Sequence, residues 1–100
     1  MDMKHEIYKI KSFKITAPYT LELEFDDNTR KVINFEPILR GAVYGKLRDL
    51  TFFNSVFLDE EVHTIAWSNG ADFDPAVLHN WEDNLDALIE KSAKWQVAAS

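Results

Sequence analysis

The chain has no cysteine, and only three glycines and three prolines among its 100 residues. Without cysteine there is no disulfide, no Cys-ligated zinc and no thiol catalysis. Glycines at 41, 45 and 70 alone are too few for a Gly-rich phosphate loop. No apolar run approaches the ~20 residues that a membrane helix needs. The opening Met1-Asp2-Met3-Lys4-His5-Glu6 is polar and no apolar stretch follows it, so no signal peptide is expected. These absences point to a cytoplasmic protein with no membrane association. Basic residues are scarce in the second half: residues 49–100 carry two Lys against ten Asp/Glu, whereas residues 1–48 carry nine Lys/Arg against seven Asp/Glu. A pI of 4.9 argues against direct nucleic-acid binding, where clustered cations must meet phosphates.

Aromatic residues make up 13% of the chain and hydrophobic residues 46%, against 28% charged. That balance belongs to a globular protein, and the length to a single domain over residues 1–100. Residues 6–16 predict a first strand whose apolar alternation slips between Ile10 and Phe13, which implies a bulge near Lys11-Ser12. Residues 20–25 alternate strictly, with Leu21, Leu23 and Phe25 on one side and Thr20, Glu22 and Glu24 on the other. Asp26 to Thr29 reads as a hairpin turn, and residues 30–35 as the returning strand. Ile38-Leu39 predicts one helical turn stopping at Gly41, and Val43, Leu47 and Leu50 share one face of another short helix. Two more strands are expected, Ser55 to Leu58, entered through Phe52-Phe53, and Val62 to Trp67.

The final segment, Asn80 to about Gln96, predicts the longest helix. Trp81, Leu85, Leu88, Ile89 and Trp95 recur near helical spacing. Asn80 with Asp83 three residues later resembles a capping box. Glu82 and Asp83 suit the positive end of the helix dipole, and Lys91 and Lys94 the negative end. The sum is an α+β fold: a mostly antiparallel sheet of about five strands with short helices, and a C-terminal helix packed on one face.

The chemistry-bearing residues are dispersed. His5, His63 and His79 are far apart, with no metal-ligand spacing. None of the serines sits in a nucleophile elbow. Asp26-Asp27-Asn28 lacks the later glycine and glutamate of a calcium loop. Asp72 and Asp74 can work as paired carboxylates, or as a corner residue and a helix cap. No catalytic, cofactor or metal site is therefore expected, and the protein is expected not to be an enzyme. Two surfaces remain. Lys4, Lys9, Lys11 and Lys14 line the first strand, as protection of a sheet edge or as a docking edge. Trp81 and Trp95 are expected to pack on the sheet; as the alternative, Trp81, Glu82, Asp83, Asp86 and Trp95 mark the last helix as a place where a small basic partner, or a second copy, can dock.

The most informative stretch is Trp67-Ser68-Asn69-Gly70-Ala71-Asp72. An apolar strand runs into Asn-Gly, a strong turn signal, and Asp74-Pro75 then opens a helix. With this corner in place, the chain resembles the bacterial domain-of-unknown-function family 2442 over roughly residues 5–80. The resemblance is carried by Tyr19-Thr20-Leu21-Glu22-Leu23-Glu24-Phe25, the Asp27-Asn28 turn, Arg30 to Phe35 and Pro37-Ile38-Leu39. It continues through Leu47-Arg48-Asp49, Phe52 or Phe53, and the corner residues Trp67, Asn69, Gly70, Ala71 and Asp72. Asn28 stands where glycine is usual, a change that a left-handed turn tolerates.

The resemblance implies an α+β fold and no established activity. Family members look like accessory proteins, some akin to antitoxin-side partners in two-gene modules and some fused to a helix-turn-helix domain. About twenty residues beyond the match are too few for such a DNA-binding domain. The expected function is a non-enzymatic interaction or regulatory module. The alternative is a small-ligand or catalytic site at the Trp67–Asp72 corner, built on Trp67, Asn69, Gly70 and Asp72.

Overall fold

The computed structural model describes residues 8–99, with side chains through Lys94. The expected strand start at residues 6 and 7, Lys4, His5 and the Trp95 side chain lie outside what it describes. Three strands, β1 (Ile10–Ala17), β2 (Thr20–Phe25) and β3 (Arg30–Asn34), form an antiparallel meander in that order. The predicted bulge is present as a register shift between Ile10 and Ser12, and a second shift lies between Ile15 and Ala17. Leu21, Leu23 and Phe25 are buried, and the glutamates between them face outward.

Both hairpins turn through left-handed residues. Pro18-Tyr19 joins β1 to β2, with Tyr19 at φ 59°, a position where glycine is usual. A non-glycine residue there costs about 1–2 kcal/mol. It is offset by the Tyr19 hydroxyl, which donates to the Arg48 carbonyl at 2.5 Å, and by ring contact with Phe53 at 5.7 Å. Asn28, at φ 69°, takes the left-handed place in the second hairpin. Asp27 accepts from the Thr29 N–H beside it.

After β3 come a 3₁₀ turn (Glu36–Ile38), α1 (Gly41–Tyr44), a second 3₁₀ turn (Gly45–Arg48) and α2 (Leu50–Phe53). The Asp49 side chain caps α2 by accepting from the Thr51 N–H. Phe52-Phe53 is therefore helical and does not enter a strand. β4 (Phe57–Asp59) and β5 (Thr64–Ala66) follow as a short hairpin, then α3 (Pro75–His79) and α4 (Trp81–Ala99).

The five strands make two sheets, which corrects the expectation of one. Among the described strands, β4 and β5 form a two-stranded sheet of their own. The far edge of β5 is occupied by the returning chain, through an Ala66–Asp72 bridge and the Trp67 N–H donating to the Ala71 carbonyl at 2.9 Å. Toward the large sheet, among the described residues, a single backbone bond forms, from the Ile10 N–H to the His63 carbonyl at 2.9 Å. The β1 bulge begins at that point and breaks the alternation that a longer ladder requires.

The last helix also departs from expectation. Its body lies against α1 and the first 3₁₀ turn, with no comparable contact to the strands among the described residues. Asn80 does not cap it: its carboxamide donates backward to the Ala76 carbonyl at 3.1 Å, closing α3. At the centre of the core, Phe35 meets Phe53, Trp67, Phe73 and Trp81 with ring centroids 5.1–6.5 Å apart. Such pairs add about 0.5–1.5 kcal/mol each beyond the burial itself.

Candidate functional site

The Trp67–Asp72 corner turns its polar groups onto the chain's own backbone. Trp67 is 2% exposed, and its indole N–H donates to the Phe53 carbonyl at 2.8 Å. Asn69 works with both ends of its carboxamide. Its nitrogen donates to the Val43 carbonyl at 3.0 Å, and its oxygen accepts from the Ala71 N–H at 3.1 Å. Gly70 sits at φ 93°, and its N–H donates to the Trp67 carbonyl. The Tyr44 hydroxyl reaches the Asp72 carbonyl at 2.8 Å. The corner thus ties β5 to α1 and to the end of α2, segments 14 to 28 positions away along the chain. Burial, and then the nearby Asp72 carboxylate, push the Tyr44 phenol above its ordinary value.

Asp72 and Asp74 share a shallow depression of ≈ 340 Å³ with Val62, Thr64, Phe73 and Pro75. Two of its polar side chains are already engaged: the Thr64 hydroxyl donates to the Phe73 carbonyl at 2.6 Å, and Asp74 accepts from the Ala76 N–H at 2.8 Å as the cap of α3. The Asp72 carboxylate is exposed and, against the expectation of a corner residue held by backbone N–H groups, it is the main-chain carbonyl of Asp72 that is bonded, by Tyr44. Among the described residues no three His, Asp or Glu side chains come together as a metal site requires, and no helix is long and apolar enough to cross a membrane.

The residues expected to mark the last helix divide. Trp81 is 5% exposed and belongs to the core, so it is not available to a partner. Glu82, Asp83 and Asp86 are exposed. Glu82 reaches back to Lys31 on β3 at 2.8 Å, and this contact holds the Glu82 carboxyl below the usual carboxylate range. Asp86 has acidic neighbours at i−4 (Glu82), i−3 (Asp83) and i+4 (Glu90).

A second cluster was not visible in the sequence. His79 Nε2 lies 2.9 Å from Asp27 Oδ2, and the imidazole stacks on Tyr8 with centroids 3.8 Å apart. Hydrogen bonds from Thr29, its N–H first, hold Asp27 below the usual range, and His79 adds to the effect. His79 and Asp27 are 52 positions apart, so only the fold brings them together.

These observations define a small α+β domain in which a Trp–Asn–Gly corner locks a helical connection onto a hairpin sheet. The model of a protein family of unknown function, DUF2442, matches residues 10–84, and the chain belongs to that family. The match runs past the corner to include the buried Trp81, and it stops one turn into α4. No curated protein and no solved structure matches the chain.

Proposed function

We propose that the chain is a non-enzymatic protein-interaction or regulatory module, an antitoxin-like accessory subunit of the cytoplasm. Its acidic helix α4 docks a small basic protein. The setting of Asp86 carries this reading. Like charges at i,i+4 on a helix cost about 0.2–0.5 kcal/mol per pair, and Asp86 makes two such pairs, with Glu82 and Glu90. No salt bridge to Asp83 or Asp86 is found among the described residues. A solvated ridge that opposes its own helix fits a surface kept for an external cation, since sequences break local rules most often at functional sites.

The test is purification at native expression level, with co-purifying proteins identified by mass spectrometry for wild type and for Asp83→Lys/Asp86→Lys. Glu82 is left intact because it pairs with Lys31. A stoichiometric basic partner, released by salt from wild type and absent from the double variant, supports the reading. Equal retention by both proteins contradicts it.

A further inference from the structure

The two edges of the large sheet are built differently. β1 is bulged at two points, carries Lys11 and Lys14, and gives its Ile10 N–H to His63. Bulges and lysines are how natural sheets blunt an edge. β3 has no such interruption: all five residues run in unbroken register against β2.

That register also fixes where the free groups of β3 point. The Phe35 N–H donates to the Tyr19 carbonyl at 2.8 Å, and the Phe25 N–H to the Thr29 carbonyl at 2.9 Å. Hydrogen-bonded and non-bonded pairs alternate along an antiparallel ladder. Ile33 and Lys31 therefore bond to Leu21 and Leu23. The N–H and C=O groups of Arg30, Val32 and Asn34 point away from β2, and among the described residues they have no hydrogen-bond partner.

We propose that this edge is a homodimer interface, in which β3 pairs antiparallel with β3 of a second copy about a twofold axis at Val32. In that register Val32 faces the second copy's Val32, and Arg30 faces the second copy's Asn34. Every outward N–H of both strands then finds an outward carbonyl, and the two meanders join into one six-stranded sheet. Three features favour a second copy over another occupant.

First, the strand is complementary to itself, with no like charges opposed. Second, its two cations are already neutralised within the chain. Arg30 lies 3.9 and 4.0 Å from Glu22 and Glu24, and Lys31 lies 2.8 Å from Glu82. The repulsion that guards a basic edge is therefore muted. Third, Val32 is 65% exposed, an apolar side chain at the point where the twofold axis would cover it. The interface is independent of the exposed ridge of α4. A five-residue edge buries far less than the ~1,200 Å² of a stable complex, so the dimer is weak, with Kd between roughly 10 μM and 1 mM.

The test is sedimentation velocity of the full chain from about 10 μM to 1 mM, with wild type and Val32→Lys, alongside amide exchange read by NMR over the same range. Lys at this position sets two ammonium groups against each other while leaving the bonds to β2 intact. We expect the mass to rise from 11.6 kDa toward twice that value in wild type, and Kd to weaken at least about tenfold in Val32→Lys. The amides of Arg30, Val32 and Asn34 gain protection with concentration, while those of Lys31 and Ile33 do not change. A wild type that stays monomeric up to about 1 mM overturns the proposal. So does a dimer that ignores Val32→Lys and leaves the three outward amides unprotected.

Discussion

The indole N–H of Trp67 donates to the main-chain carbonyl of Phe53 at 2.8 Å, and both residues are buried. A tryptophan just past the end of β5 thereby closes the C-terminal end of α2, fourteen positions earlier. Trp67→Phe keeps an aromatic ring in the cluster but removes one of the two donors to the Phe53 carbonyl, which retains the Val56 N–H at 3.2 Å. A lost hydrogen bond whose acceptor keeps another donor costs about 0.5–1.5 kcal/mol. Urea unfolding is expected to show a loss of that size with an unchanged m-value.

Asn69 separates the turn from the clasp. Asn69→Asp keeps an oxygen for the Ala71 N–H but loses the donor to the Val43 carbonyl and places a carboxylate against it. Asn69→Ala loses both bonds without adding repulsion. Each is expected to lower stability by about 1 kcal/mol or more. The Asn69→Asp deficit should shrink when the pH is lowered through the carboxylate range, and that of Asn69→Ala should not. Gly70→Ala should cost about 1–2 kcal/mol from φ alone, since a Cβ at that position meets nothing within 4 Å.

Asp86→Lys is expected to stabilise the fold. It replaces two like-charge pairs by Glu82–Lys and Lys–Glu90 pairs, with a gain of about 0.5–1 kcal/mol. Thermal unfolding at low salt should show a raised midpoint, and added salt should shrink the gain.

The pH dependence has two limbs. Asp27 and Glu82 are depressed below their ordinary values of 3.8 and 4.5. Their contribution is complete above those values and is lost as pH falls through the folded ones. Asp27→Asn/Glu82→Gln should therefore show a shallower acid limb than wild type between about pH 5 and 2. Tyr44 is raised above 10.0. Its contribution is complete below that value and is lost as pH rises through the folded one, so Tyr44→Phe should flatten the alkaline limb.

Much of the architecture was legible in local pattern. The alternation of β2, the slip at Lys11-Ser12, the left-handed Asn28 and the Asp74-Pro75 helix start all follow from rules that act within a few residues. What failed depends on distant neighbours. Phe52-Phe53 is apolar and β-prone, yet the Asp49 cap draws it into a helix. Asn80 has the chemistry of a cap for the following helix, but its carboxamide nitrogen is drawn back to the Ala76 carbonyl and its oxygen lies by the His79 ring. The division into two sheets rests on the Ala71–Phe73 segment folding back onto β5, which periodicity does not encode. The corner was visible as a turn; its bonds to Phe53, Val43 and Tyr44 cross 14 to 28 positions and were not. Trp81 sits at the same helical spacing whether it faces the core or a partner, and only the aromatic cluster around Phe35 decides between the two.

The central claim is that the corner holds the fold together and the acidic ridge of α4 does the binding. Retention of the native co-purifying partner by Asn69→Ala and by Asp86→Lys, compared at one temperature well below either unfolding midpoint, tests it most directly. The account predicts that the less stable Asn69→Ala keeps the partner and the more stable Asp86→Lys loses it. Retention by Asp86→Lys together with loss from a folded Asn69→Ala would contradict the account and place the working surface at the corner.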